Sequence, residues 1–248
     1  MQNVANYTNN PKAAAITLEH VWLGWRDRIA LRDITGQFNS GSLTAIVGPN
    51  GAGKSTLVKG IMGVISPMRG KILLPNRQAS DIAYLPQATE LDRSFPISVY
   101  DLVAMGAWHR VGAWRQFPLR EHQRIRKALK AVGLADFGPR IIGTLSGGQL
   151  QRALFARLLM QEADVFVLDE PFSAVDAATI QDLLGILQLW HQAGKTVIAV
   201  LHDFETVRQH FPQTLLLGGQ VVAWGETESV LTPENLHMAQ HLCAGDYL

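Results

Sequence analysis

Gly48-Pro49-Asn50-Gly51-Ala52-Gly53-Lys54-Ser55-Thr56 is a complete G-x-x-x-x-G-K-[ST], and it narrows the fold of this 248-residue chain sharply. Before it lies Leu43-Thr44-Ala45-Ile46-Val47, an apolar run that reads as a strand. After it the pattern predicts a helix from about Lys54 to Val64. Position matters here. A phosphate needs several donors at close range, and glycines let the backbone curl until successive N–H groups point inward. The following helix adds its positive end. Lys54 can reach the outer phosphates and the Ser55 hydroxyl can ligate Mg²⁺. A glycine turn with an accidental lysine would have no need of that strand and helix.

Two further apolar strands are expected at Val165–Leu168 and Thr196–Leu201, each short and reading as buried on both faces, as parallel strands do. Ile16–Trp25 and Ile34–Phe38 suggest an antiparallel layer, and Leu215–Leu217 with Val221–Trp224 flank a Gly-Gly hairpin signal. The stretch 98–140 reads mostly as helix, over Val99–Trp108 and Leu119–Val132. It carries eight basic and two acidic residues between Trp108 and Arg140, read as a solvated face rather than a docking surface. Residues 1–14 are expected to be a flexible tail. The fold class is therefore α/β: a parallel core with a helical insertion and antiparallel trimmings.

Composition removes several functions. Hydrophobic residues make up 47% of the chain and the net charge is +1, so neither wholesale disorder nor a field that gathers nucleic acid is expected. The longest apolar runs are about seven residues, against ~18 for a membrane span. The start Met1–Asn10 lacks the basic and apolar regions of a signal peptide. Cys243 is the single cysteine, which precludes an internal disulfide and suits a reducing cytoplasm.

Two more motifs carry chemistry. Val165-Phe166-Val167-Leu168-Asp169-Glu170 ends a buried strand in adjacent carboxylates, one suited to hold a metal and one to polarise an attacking water. Leu145-Ser146-Gly147-Gly148-Gln149 opens a helical run to Met160, with Ser146 as N-cap and two glycines that expose N–H groups. A capped helix alone would not explain a second anion-binding turn.

In order and approximate spacing these three motifs resemble the nucleotide-binding subunits of ABC transporters, over about Ile16 to Asn235. The resemblance implies a P-loop (RecA-like) core with an antiparallel β subdomain and a helical subdomain at about 90–155, all in a single domain over 15–248. It implies ATP and Mg²⁺ as ligands, with Gly48 to Thr56 on the phosphates and Ser55, Gln87 and Asp169 toward the metal. Gln87, in Ala83-Tyr84-Leu85-Pro86-Gln87, matches the Q-loop. Ser173-Ala174-Val175-Asp176 resembles the D-loop, with Val175 where leucine is usual. His202 matches the switch histidine. Trp25 aligns with the aromatic ring that stacks on adenine, whereas Trp22 reads as a core residue. Glu170 is then the catalytic base, with Lys54, Gln87 and His202 as its helpers.

The family's pairing is head to tail, so Ser146, Gly147, Gly148 and Gln149 would meet the nucleotide of a second ATPase subunit, expected to be an identical chain. Separate permease subunits would hold the pair at the cytoplasmic face of the inner membrane, with a substrate-binding protein acting indirectly and no nucleic acid involved. Glu90–Gly106 and Leu231–Leu236 resemble zinc and manganese importers. The alternatives are iron-siderophore, haem or cobalamin uptake, or a non-transport ATPase such as one in iron–sulfur assembly. His237 and His241 would share a helical face near Cys243. Their irregular spacing favours a frayed terminal helix over a metal sensor.

Overall fold

A computed structural model describes residues 14–25, 28–74, 81–87, 92–112, 117–173 and 175–245. Residues 1–13 of the expected flexible tail and Ala174 of the D-loop-like segment lie outside these, as do Glu90 and Leu91 of the importer-like stretch, whereas Ala14 of the expected tail belongs to a strand.

Two sheets organise the described residues. The first is antiparallel, in the order β2-β1-β4, from β1 (Ala14–Trp25), β2 (Arg28–Asn39) and β4 (Arg69–Leu73). The second runs β5-β6-β7-β3-β8-β9, from β3 (Leu43–Val47), β5 (Ile82–Leu85), β6 (Val165–Asp169), β7 (Thr196–Val200), β8 (Gln213–Leu217) and β9 (Val221–Glu226). Neighbours from β5 to β8 pair parallel, and β9 closes the edge antiparallel. β2 begins six residues before Ile34, and of its twelve residues only Leu31, Ile34 and Phe38 are buried, so no regular alternation marks its start.

Strands β3, β6 and β7 are buried at every position, so no polar alternation marks them. The alternation is still there, between two apolar cores. Ala45, Val47, Phe166, Leu168, Val197 and Ala199 face the core that includes the helical insertion. Ile46, Val165, Val167, Ile198 and Val200 face the core shared with the antiparallel sheet. Successive strand residues point to opposite faces, and here both faces are covered.

The insertion between β5 and β6 holds α2 (Val99–Ala104), α3 (Trp108–Val111), α4 (Leu119–Ala131) and α5 (Gly147–Gln161). The helix expected over Val99–Trp108 is broken by a 3₁₀ turn at Met105–Ala107. Gly106 packs so closely on α5 that a Cβ there would sit 2.2 Å from the Arg157 carbonyl oxygen. Trp190, on α6 (Ala177–Gln192), stacks on Phe166 at 4.1 Å and lies parallel to Phe155 of α5 at 6.0 Å. That aromatic column ties insertion to sheet, each pair adding about 0.5–1.5 kcal/mol beyond burial. Glu121 is fully buried in α4 and is held by Arg110 at 2.6 Å and Arg124 at 3.4 Å. Arg110 and Arg124 of the basic block are thus half-buried against Glu121, while Arg126, Lys127 and Lys130 are exposed, as expected.

The chain ends in α7 (Phe204–His210), α8 (Thr227–Val230) and α9 (Pro233–Gly245). In a parallel sheet of this kind, ligands sit outside the carboxyl ends of the strands. β3, β5, β6 and β7 deliver Gly48, Gln87, Asp169-Glu170 and His202 to that rim.

Candidate active site

At the end of β3 the chain turns through Gly48, whose φ of 151° is one that side-chained residues rarely adopt. A Cβ there would sit 2.2 Å from the Leu217 carbonyl oxygen. Gly53, at φ 88°, presses against Leu31 of β2 in the same way. The loop is therefore wedged between β8 and β2, and its far side is tied by the Gly219 N–H donating to the Ala52 carbonyl at 3.3 Å. Ala52 is buried, while Asn50 and Gly51 are exposed and Pro49 is half-buried. No side chain caps α1 (Lys54–Ile61), so its first N–H groups stay available to an anion.

Lys54 is 6% exposed, and its Nζ donates to the Gly48 and Pro49 carbonyls at 2.8 and 2.9 Å. Burial lowers the pKa of this ammonium, more than Glu170, Cys243 and Asp169 raise it. Ser55 Oγ donates to Asp169 Oδ1 at 3.3 Å, joining α1 to the tip of β6, and Thr56 follows half-buried in α1.

Glu170 sits one residue further, at φ 51°, in the left-handed region where a side-chained residue is uncommon. That turn swings its carboxylate among three donors. Gln87 Nε2 donates to Oε2 at 2.7 Å, Ser173 Oγ donates to the same oxygen at 3.0 Å, and His202 Nε2 lies 2.6 Å from Oε1. Burial alone would raise the pKa, but these hydrogen bonds and the charge of His202 together hold it below its ordinary value. The geometry unites Gln87, Glu170 and His202 and adds Ser173. The sequence signal for Ser173 was its place three residues on, in a turn closed by its own N–H on the Glu170 carbonyl.

Ser146, Gly147 and Gly148 open α5 elsewhere. Ser146 Oγ accepts from the Gln149 N–H at 3.2 Å while Gln149 Oε1 accepts from the Ser146 N–H at 3.0 Å, a reciprocal capping box. Asp176 stands beside them as the N-cap of α6, accepting from the Thr179 N–H at 2.9 Å. These hydrogen bonds hold its carboxyl below the usual range. A groove of about 380 Å³ runs along Ser146, Gly148, Gln149, Arg152, Asp176 and Thr179, and none of its lining residues belongs to the phosphate loop. Among the described residues, the groove at the second glycine turn is thus not shared with the phosphate loop.

Trp25 closes β1 with its ring 53% exposed and the Lys59 ammonium 6.0 Å from its centroid. Trp22 is half-buried under the Arg69 guanidinium.

Comparison with known proteins agrees with this geometry. Residues 31–173 match the family model described as ABC transporter. A manganese transport system ATP-binding protein of Listeria innocua is 40% identical over 90% of this chain and 95% of its own. A zinc transport system ATP-binding protein of Treponema pallidum is 40% identical over 92% and 87%. The solved inward-facing structure of a putative metal-chelate type ABC transporter superposes with a TM-score of 0.81 at 30% identity, over 92% of this chain and 90% of that one. A cassette in its ADP conformation shares the fold, with a TM-score of 0.78 at 22% identity. With a phosphate loop, a paired carboxylate rim and a capped second glycine turn in one framework, this chain belongs to the ABC transporter family, as an ATP-hydrolysing cassette.

Proposed function

We propose that the chain powers import of a divalent transition metal, zinc or manganese, through separate permease subunits at the cytoplasmic face of the inner membrane. The likeness to manganese and zinc subunits supports the cargo. Among the described residues no helix is long and apolar enough to cross a membrane, which fits a need for separate permeases. A substrate-binding protein would act on the permease side.

The hydrolytic role rests on one observation, the gathering of Lys54, Ser55, Gln87, Asp169, Glu170 and His202 around the phosphate-loop rim. Gly48 to Thr56 cradle the phosphates by backbone donors, and Lys54 exchanges its loop carbonyls for phosphate oxygens. Trp25 stacks on the base. Ser55 Oγ and Asp169 Oδ1 are hard oxygens 3.3 Å apart beside the loop, a donor set that suits Mg²⁺. The Gln87 amide, whose nitrogen is engaged with Glu170, keeps its oxygen for the same ion. Bound there, Mg²⁺ would neutralise charge on the phosphate oxygens.

Glu170, ionised at neutral pH, orients and deprotonates the attacking water. Both of its oxygens are engaged, so the reactive arrangement needs a donor to turn away. His202 is suited to that, since swinging Nε2 from Glu170 to the γ-phosphate frees Oε1 for water. The separation of the signature groove from the phosphate loop supports a head-to-tail pair of identical chains, each lending Ser146, Gly147, Gly148 and Gln149 to the other's nucleotide, with Asp176 at the seam.

The test is the elemental content of cells grown under metal limitation, native against Glu170→Gln. A selective fall in zinc or manganese is expected. A fall in iron alone would move the reading to siderophore or haem uptake, and no change would overturn metal import.

A further inference from the structure

The C-terminal segment forms a helix, α9, as expected of it. His237 and His241 lie one turn apart on its exposed face, with ring centroids 4.3 Å apart and planes crossed at 73°. Their Nε2 atoms are 3.2 Å apart. Two nitrogens each about 2.0–2.1 Å from one zinc ion, separated by that distance, subtend an angle of roughly 100° at the metal, close to tetrahedral. Cys243 is directed elsewhere, packing against the core shared with the antiparallel sheet. Among the described residues no third His, Cys, Asp or Glu completes a cluster.

We infer that His237 and His241 form a two-imidazole site for a zinc-class divalent cation, with water filling the remaining positions. Imidazole nitrogen suits zinc, nickel and copper far better than manganese. The 3.2 Å separation also accommodates one Nε2–H donating to the other nitrogen. The metal takes the place of that proton, so both rings carry their hydrogen on Nδ1 when it is bound.

The site has a short mechanical path to the nucleotide. Ala239, on the inner face of α9, is buried, and its carbonyl oxygen would lie 2.9 Å from a Cβ at Gly218, with Leu242 Cβ at 3.3 Å. The next residue, Gly219, donates to Ala52 in the phosphate loop. Metal bridging one turn of α9 stabilises the helix that backs this turn, by selective binding to the folded form. The inference stands on the geometry of α9 and does not depend on what the transporter carries.

The experiment is calorimetric titration of zinc chloride into the metal-stripped full chain, with hydrogen exchange over 233–245 as a second readout. The native chain should take up one more zinc per chain than His237→Ala, His241→Ala or the double variant, and zinc should slow exchange in α9 of the native chain only. Cys243→Ser should bind as the native chain does, and manganese chloride should give no matching uptake. Both histidines are exposed, so the variants should keep the native far-ultraviolet circular dichroism. Equal zinc stoichiometry and affinity in the double variant would overturn the site. So would a loss of binding in Cys243→Ser alone. Neither outcome bears on the cellular metal content that tests the cargo.

Discussion

Gly48–Thr56 and Ser146–Gln149 both lead into a helix N-terminus, yet they are finished in different ways. The phosphate loop is braced on three sides by its own chain, with Leu217 and Leu31 against its glycines and Gly219 bonded to Ala52. Its lysine is buried and its helix start carries no cap. The second turn has Ser146 and Gly147 exposed and Gly148 and Gln149 half-buried, and it satisfies donors of its own through the Ser146–Gln149 capping box. The first turn is shaped to receive a ligand alone. The second holds its form through its own hydrogen bonds. Bracing by neighbouring strands leaves the first turn's donors open, whereas self-capping satisfies donors of the second.

The largest expected effect isolates the chemistry from both turns. Glu170→Gln should lower steady-state ATP turnover by about 10²–10⁴-fold, with ATP binding retained and an ATP-dependent dimer accumulating in size-exclusion chromatography. Turnover near native would remove Glu170 as the base.

A mixing experiment tests the comparison directly. Lys54→Ala and Gly147→Asp chains should each be inactive, because every pair of either kind has two broken sites. Mixed in equal amounts, half of the random pairs contain one intact composite site, restoring about a quarter of native sites. Failure of the mixture to recover any activity, with both chains folded and pairing, would place both turns in one chain's site.

How much of this could be read from the sequence divides along the same line. The phosphate loop and strands β3, β6 and β7 were legible because burial on both faces leaves continuous apolar runs that a glycine turn punctuates. β4 was not, since Arg69–Leu73 is exposed at nearly every position and pairs at a sheet edge, where no hydrophobic pattern is required. The start of α6 was not legible: helical sequence before β7 was expected, but Asp176 was read for its likeness to the D-loop and not as the N-cap that it is. Gln87, Glu170 and His202 could be nominated singly. That one carboxylate gathers both of the others and Ser173 depends on the left-handed turn at Glu170, which no pattern of residue types announces.

Smaller effects sharpen the contrast. Trp25→Ala should weaken ATP binding by about 1–3 kcal/mol if its ring stacks on the base, measured by nucleotide titration, with kcat little changed at saturation. Ser146→Ala should cost about 1 kcal/mol through the lost cap, a fall in Tm of about 2–4 °C. An unchanged Tm would mean that the second turn does not depend on its cap.

The smallest expected change is in pH dependence. The folded pKa of Glu170 lies below its ordinary 4.5, so its stabilising contribution is complete above that value and disappears as the pH falls through the depressed one. Removing a donor with Ser173→Ala should move the acidic limb of ATPase activity upward, toward 4.5. A limb that stays in place would show that Ser173 contributes nothing to the charge on Glu170.

The central sheet, with its neighbours along each strand sent to different cores, also has a meaning for descent. Ala45 answers to the helical insertion, while Ile46, one residue on, answers to the antiparallel side that braces the nucleotide loop. A lineage can therefore repack the insertion through one set of alternate positions and leave the other set untouched. The packing of the insertion and the bracing of the nucleotide loop can drift at separate rates, although they share every strand of a common wall.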